Sequence, residues 1–336
     1  MKVGVVGAGS WGTTLARYLH ALGHEVSLWV FEEELLRIML EERVNTFYLP
    51  GVRISEAIHI TNSLEEIAAR AECLLLVTPS HALRGVVEGL KEFVEPRHVF
   101  VSATKGIEND SLLTMSQVVR SVLGEVPFAA LSGPSFSKEV LAGSPTAVTI
   151  ASEDMELATR LQLSFSSDTL RIYAHDDVIG TELGGSAKNV MAIAVGISDG
   201  LGFGMNARAA LMTRGLAEIM RLGVRMGANS MTFTGLSGLG DLILTCTGDL
   251  SRNRTVGLRI GRGEKLDAVT ASMKQVAEGV RTTKSLYGLA QRHGIDMPIT
   301  RQVYMVLYEG KDPGSAVSEL MGRPLKREIP SEQAYS

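Results

Sequence analysis

The sequence predicts an α/β fold: a doubly wound parallel sheet over residues 1–179, followed by an all-α domain over residues 180–336. Three observations carry this. Short β-branched runs alternate with helical spacing through the first half. The candidate strands are apolar almost without a break, the pattern of strands covered on both faces. After about Asp177 the strands stop and long helical patterns take over. A chain of 336 residues is long enough for two domains of roughly 100–200 residues each.

Taken in order, Val3–Val6, Glu25–Val30, Cys73–Val77, Val99–Ala103 and Phe128–Leu131 read as strands. Between them Thr13–Leu22, Ser63–Arg70, His81–Phe93 and Leu112–Leu123 read as helices. Ala147–Ala151 and Thr169–Tyr173 read as further strands around a helix at Met155–Phe165. In the second half, Val178–Ile197, Asn206–Met226, Thr255–Ile260, Val280–His293 and Met297–Tyr308 carry helical spacing. Gly184-Gly185-Ser186-Ala187 puts small residues early in the first of these, permitting close approach of another backbone or of a ligand. The tail Ile329–Ser336 is polar and expected to fray.

The composition, 45% hydrophobic and 21% charged, is that of a globular protein. A net charge of −4 argues against general attraction to nucleic acid or an anionic membrane. No run of ~18–20 apolar residues suits a bilayer span, and the N-terminal apolar run breaks at Gly7, too soon for a signal peptide. The two cysteines, Cys73 and Cys246, lack metal-ligand spacing and suggest no disulfide framework. Cys73 opens an apolar run and reads as a buried thiol. A soluble protein of a reducing, cytoplasmic compartment is expected, with no metal.

Gly7-Ala8-Gly9-Ser10-Trp11-Gly12 is a G-x-G-x-x-G that follows an apolar strand and opens a helix. In that setting it signals a Rossmann-type dinucleotide site. Gly7 allows the tight turn, Gly9 the approach of a pyrophosphate, and Gly12 the packing of helix on strand. Glu32, twenty residues past Gly12, stands where an acidic side chain accepts from the adenosine ribose. No arginine is beside it to receive a 2′-phosphate, so NAD is favoured over NADP. Phe31 is placed to pack on adenine or in the core, and Trp11 to shield the dinucleotide. Thr78-Pro79-Ser80-His81, Ser102-Ala103-Thr104-Lys105-Gly106 and Ser132-Gly133-Pro134-Ser135 follow apolar strands and should edge the same crevice. His81 is a candidate base, or a capping or solvent-facing residue at a helix start.

Reducing a ketone requires a proton for the developing alkoxide and positive charge to stabilise it. Lys188 is suited to both, because it interrupts a small and apolar helical segment that offers it no polar face. Ser251-Arg252-Asn253-Arg254 before a helical run is either an anion site, with Arg252 gripping a phosphate, or a well-capped surface helix. Asp241 reads first as a helix N-cap and second as a site residue.

Together these blocks resemble the NAD(P)-dependent glycerol-3-phosphate dehydrogenase family over nearly the whole chain. The blocks are the glycine turn through Thr13, Ala103-Thr104-Lys105-Gly106-Ile107-Glu108, Ser132-Gly133-Pro134-Ser135-Phe136 and Gly185-Ser186-Ala187-Lys188-Asn189-Val190. Ser198-Asp199-Gly200-Leu201-Gly202-Phe203-Gly204-Met205-Asn206, Gly238-Leu239-Gly240-Asp241-Leu242 and Ser251-Arg252-Asn253-Arg254 complete them. The resemblance implies reversible hydride transfer from NAD(P)H to C2 of dihydroxyacetone phosphate, giving sn-glycerol 3-phosphate for glycerophospholipid synthesis. It implies Lys188 as the proton donor and acceptor, and Lys105 touching cofactor and substrate. Gly133, Ser135, Asp241, Ser251, Arg252 and Asn253 would line the substrate pocket. Ser10, Trp11, Phe31, Ser137, Arg252, Val276 and Glu278 fall at cofactor-contacting positions, and a homodimer is implied. Ser137 replaces the usual alanine, Ser186-Ala187 a more typical small-then-aliphatic pair, and Phe31 the histidine or arginine of many bacterial members. The last change resembles the NAD-using members.

Two rival readings are distinguishable. A β-hydroxyacid dehydrogenase or ketopantoate reductase would use the Ser-Arg-Asn-Arg block for a carboxylate. A non-catalytic NAD-sensing module would need the glycines and Glu32, but neither Lys188 nor Asp241.

Overall fold

A computed structural model describes residues 1–273 and 277–328 of the chain. Val276 and the tail 329–336 lie outside the described residues. The chain divides into two compact units, 1–108 with 113–181, and 182–336 with 109–112.

The first unit opens with β1 (Lys2–Val6), α1 (Ser10–Ala21), β2 (Glu25–Trp29) and α2 (Glu33–Glu42). A hairpin follows, β3 (Val44–Asn45) and β4 (Leu49–Arg53), then β5 (His59–Thr61), α3 (Leu64–Arg70) and β6 (Cys73–Leu76). Next come α4 (Leu83–Leu90), β7 (Val99–Ser102), α5 (Met115–Leu123), β8 (Phe128–Ser132) and α6 (Ser137–Leu141). β9 (Thr146–Ala151), α7 (Met155–Phe165) and β10 (Leu170–His175) complete the sheet.

The eight main strands stand in the order β10-β9-β8-β7-β6-β1-β2-β5. Winding goes outward from β1 to β2 and β5, then returns to β6 on the other side of β1. The β1/β6 boundary is therefore a topological switch point, where such sheets open a crevice at their carboxyl ends. Both faces are buried. Val5, Leu28, Leu75, Val101 and Ile150 pack with α1, α2 and α7, while Trp29, Leu74, Leu76, Phe100 and Ala130 pack with α3, α4 and α5. Alternate residues of one strand thus enter different cores, which is why these strands read as unbroken apolar runs.

The sheet is parallel, as expected, except at one junction. β9 pairs antiparallel with β8, and β10 then runs parallel to β9. Apolar content records burial and not strand direction. The β3–β4 hairpin and α2 were not foreseen, because their exposed and charged residues mask the periodicity, and β5, of three residues, is too short to show one.

The second unit contains most of α8 (Val178–Gly200), whose first residues belong to the sheet unit, then α9 (Met205–Arg225), α10 (Asp241–Thr247) and α11 (Arg252–Gly261). α12 (Leu266–Ala271), α13 (Glu278–His293), α14 (Pro298–Tyr308) and α15 (Pro313–Met321) follow. Among its described residues there is no strand. Residues 182–198 of α8 are buried on every side, so this helix forms the unit's axis. α11 crosses it through glycines. A Cβ on Gly257 would fall 2.1 Å from the Ile193 carbonyl oxygen, and one on Gly196 would fall 2.2 Å from that of Arg254. Gly200 and Gly261 meet in the same way one turn on. Among the described residues no helix is long and apolar enough to cross a membrane.

Candidate active site

In the sheet unit the glycine turn follows β1 as its spacing requires. Gly7 has φ +121°, a region open to glycine, and a Cβ there would lie 2.8 Å from the Val77 carbonyl oxygen at the end of β6. A Cβ on Gly12 would collide with the Gly7 carbonyl oxygen at 1.8 Å, so α1 can start only this close to β1 with glycine there. Gly9 differs. Nothing lies within 4 Å of where its Cβ would be. It is the N-cap of α1 and no side chain caps that helix start. Open space over the first turn of a twelve-residue helix suits a pyrophosphate, so the residues present fit a dinucleotide. Ser10 and Trp11 begin the helix, both half-buried.

Two supports of the predicted cofactor residues escaped sequence reasoning. Asn45 of the unforeseen hairpin donates from Nδ2 to the Ala8 carbonyl (2.7 Å) and to Thr13 Oγ1 (2.8 Å), tying the turn to the helix behind it. Tyr48 donates to Glu32 Oε1 at 2.5 Å. Burial, then the Glu32 carboxylate, push the Tyr48 hydroxyl up to about 12, so it stays a donor and fixes the acid's orientation. The Asn-Thr-Phe-Tyr turn was the available signal, though nothing in it specifies the partner. Phe31 is 74% exposed, which removes the core reading and leaves its ring open for stacking. Cys73 is buried as expected, its thiol pushed up to about 12 by desolvation.

The polar segments do follow strand carboxyl ends. Lys105 Nζ donates to the Gly133 carbonyl at 3.0 Å, and Ser135 Oγ donates to the same oxygen at 3.0 Å. Gly133 holds φ +136°, and a Cβ there would lie 2.9 Å from Val148 Cα. Three of the predicted substrate residues therefore meet at the end of β8. The hydroxyls of Thr78, Ser102 and Ser132 are buried nearby in sequence without a hydrogen-bond partner. Ser137 starts α6 and is half-buried. His81 is exposed and lies before Ala82, the N-cap of α4, so it does not cap that helix.

In the helical unit Lys188 is buried, its side chain 8% exposed, and it donates to Asp241 Oδ1. The burial agrees with the absence of a polar face on this helical segment. Asp241 is also not the N-cap expected of it: Gly240 holds that position, and Asp241 is the first residue of α10. A π turn at Leu236–Gly240 precedes it. This turn crosses α8 at Gly184, where a Cβ would stand 2.6 Å from the Ser237 carbonyl oxygen. The small-residue stretch thus admits protein backbone. Lys188 lies one helical turn beyond Gly184 on the same face, which brings the π turn's exit, Asp241, to the ammonium. Thr245 Oγ1, one turn along α10, donates to the Asp241 carbonyl at 2.7 Å and approaches its Oδ1 at 3.4 Å. A lone buried ammonium would be costly, and the carboxylate compensates it.

The Ser-Arg-Asn-Arg block opens α11. Ser251 is its N-cap and accepts from the Arg254 N–H at 3.2 Å, as expected. Asn253 is buried; its Nδ2 donates to Asn189 Oδ1 (2.8 Å) and its Oδ1 accepts from the Gly279 N–H (2.9 Å). One amide N–H of Asn253 is left for a ligand. Arg252 stands at the first helical position with part of its surface open; desolvation lowers its guanidinium pKa, and the charge of Glu278 at the start of α13 opposes that shift. The two were predicted to contact one cofactor. The Val276 prediction lies outside the described residues.

Comparison with known proteins gives a consistent result. Residues 2–158 match the model for the N-terminus of NAD-dependent glycerol-3-phosphate dehydrogenase, and residues 177–318 that for its C-terminus. The chain is 54% identical to glycerol-3-phosphate dehydrogenase [NAD(P)+] of Geobacter sulfurreducens, covering 97% of this chain and 98% of that one. It is 53% identical to the enzyme of the same name from Syntrophobacter fumaroxidans, covering 97% of each. Among solved structures, glycerol-3-phosphate dehydrogenase from Coxiella burnetii superposes with a TM-score of 0.92 at 42% identity, covering 96% of this chain and 98% of that one.

Proposed function

Because the chain belongs to the NAD-dependent glycerol-3-phosphate dehydrogenase family, we propose that it interconverts dihydroxyacetone phosphate and sn-glycerol 3-phosphate with NAD or NADP. The observation that carries the mechanism is a buried lysine held by a buried aspartate in the helical unit. We assign dinucleotide binding to residues 1–179 and most substrate contacts to 180–336.

The nicotinamide, when bound, supplies or takes up the hydride at C2. Lys188 gives its proton to the C2 oxygen in the reducing direction and recovers it in the other. Its positive charge also stabilises the oxyanion before transfer. Asp241 holds the ammonium in one orientation and keeps it tolerable under burial. Lys105 contacts cofactor and substrate, and Gly133 and Ser135 contact the substrate, as the resemblance implies. Ser251, Arg252 and Asn253 bind the phosphate: a helix start, a guanidinium and an amide N–H are the groups such an anion needs. Gly7, Gly9, Ser10, Trp11 and Gly12 hold the pyrophosphate, Phe31 and Glu32 take the adenosine, and Ser137, Val276 and Glu278 make further contacts with the cofactor. Glu32, fixed by Tyr48, favours NAD because a 2′-phosphate would meet its carboxylate. The reading extends to a cytoplasmic homodimer serving glycerophospholipid synthesis, as the resemblance implies.

The test follows NADH and NADPH absorbance separately with dihydroxyacetone phosphate and with a panel of small oxo acids. Oxidation with the triose phosphate alone supports the proposal, and preference for an oxo acid overturns it. Arg252→Ala should mainly raise the substrate KM; an unchanged KM removes Arg252 from the phosphate site.

A further inference from the structure

We infer that Asp199, at the end of α8, is a positioning residue for the phosphate grip, acting through Arg254 on the first turn of α11. Asp199 sits in the last turn of α8, where the helix dipole disfavours an acid. Its side chain is 8% exposed, and both oxygens are engaged. Arg208 of α9 donates to them at 2.9 and 3.0 Å, and Arg254 Nε donates to Oδ2 at 2.9 Å. The Arg254 Nη1 continues to the exposed Asp249 at 3.0 Å, just before α11 begins.

Arg254 is two residues past Arg252 and its N–H bonds the Ser251 cap. Its guanidinium is directed back to α8 and its charge is matched by Asp199 and Asp249. The two arginines of the block thus have different tasks. Arg254 anchors the turn, and that turn presents Arg252 and Asn253. The glycine crossing between α8 and α11 fixes the distance between the helices but resists rotation of α11 only weakly, because glycines offer no side chains to interlock. The Asp199–Arg254 pair supplies the missing constraint. It sits at the end of α8 whose middle carries Lys188, so the lysine and the phosphate site share one rigid reference. Arg208 neutralises the same carboxylate from α9, and its hydrogen bonds to Asp199 give it charge balance and no grip on α11's first turn.

This rests on the phosphate assignment made above, and the test separates the two. Asp199→Asn, Arg254→Gln, Arg208→Gln and Arg252→Ala are compared for kcat, for the KM of dihydroxyacetone phosphate and of NADH, and for thermal midpoint. Asp199→Asn and Arg254→Gln should each raise the triose phosphate KM roughly tenfold, with kcat and the NADH KM within about twofold. Their double variant should be no worse than the poorer single one. Arg208→Gln should lower the midpoint and leave that KM unchanged. The two ends of the link are independent, so either variant that folds is informative. A raised KM in Arg252→Ala with normal values in both Asp199→Asn and Arg254→Gln would overturn this inference alone. An equal rise in Arg208→Gln would overturn it too, showing a general loss of packing. An unchanged KM in Arg252→Ala would overturn the phosphate assignment and this inference together.

Discussion

Replacing Asp241 by alanine removes the carboxylate from a pair whose side chains are 8% and 1% exposed. Breaking such a pair from one side costs about 3–5 kcal/mol, because a charge stays buried without compensation. The cost has a ceiling. An ordinary lysine can shed its proton at pH 7 for about 4.6 kcal/mol, at 1.36 kcal/mol for each unit below about 10.4. The expected loss is therefore about 3–4.5 kcal/mol, a large part of a typical stability of about 5–15 kcal/mol. The loss should shrink as pH rises toward about 9.5, since deprotonation then relieves the burial. The double variant Lys188→Met/Asp241→Leu, apolar on both sides, should recover most of the stability and none of the activity. Urea unfolding should be followed by far-UV circular dichroism, since both tryptophans, Trp11 and Trp29, lie in the sheet unit while Lys188 and Asp241 belong to the helical one. A coupling energy below about 1 kcal/mol in the cycle of Lys188→Met, Asp241→Leu and their double variant would refute the argument that the pair acts as a unit.

Three other outcomes follow from the same structure. Burial pushes the Glu218 carboxyl up to about 7, against the N–H groups of Ile299 (2.7 Å) and Thr300 (3.2 Å) that it accepts from at the start of α14. A raised carboxyl costs stability as pH rises from its unfolded value of about 4.5 to about 7, so wild type should lose about 3 kcal/mol relative to Glu218→Gln across that window; a pH-independent difference in urea midpoints would contradict this. Gly12→Ala places a Cβ 1.8 Å from a backbone oxygen and should abolish NADH binding by fluorescence titration, whereas a near-normal Kd would show that the turn is not under that steric limit. Glu32→Ala should raise the NADH KM on the order of tenfold and leave the NADPH KM unchanged or lower, and equal effects on both would remove Glu32 from the ribose.

Much of this was legible because burial leaves periodic marks. The five central strands, the glycine turn and the buried Lys188 could be read from residue type and spacing. The β3–β4 hairpin could not, since Asn45 and Tyr48 act through partners far away in sequence and sit in a half-exposed turn. Asp241 was misread as a cap because its helix begins from a π turn whose glycines resemble a loop. The four glycines joining α8 and α11 recur at four-residue spacing in both helices. They went unread because a close crossing needs two segments, and the sequence shows each only by itself. The reversal at β9 was invisible for a simpler reason: a fully buried strand looks the same in either direction.

The claim that the rest depends on is that the Lys188 amine moves the proton accompanying hydride transfer. The most direct measurement compares wild type with Lys188→Ala in NADH oxidation by dihydroxyacetone phosphate, with NADH affinity determined separately. The account expects turnover to fall by about a hundredfold or more with NADH affinity within about twofold. Turnover close to that of wild type would contradict it.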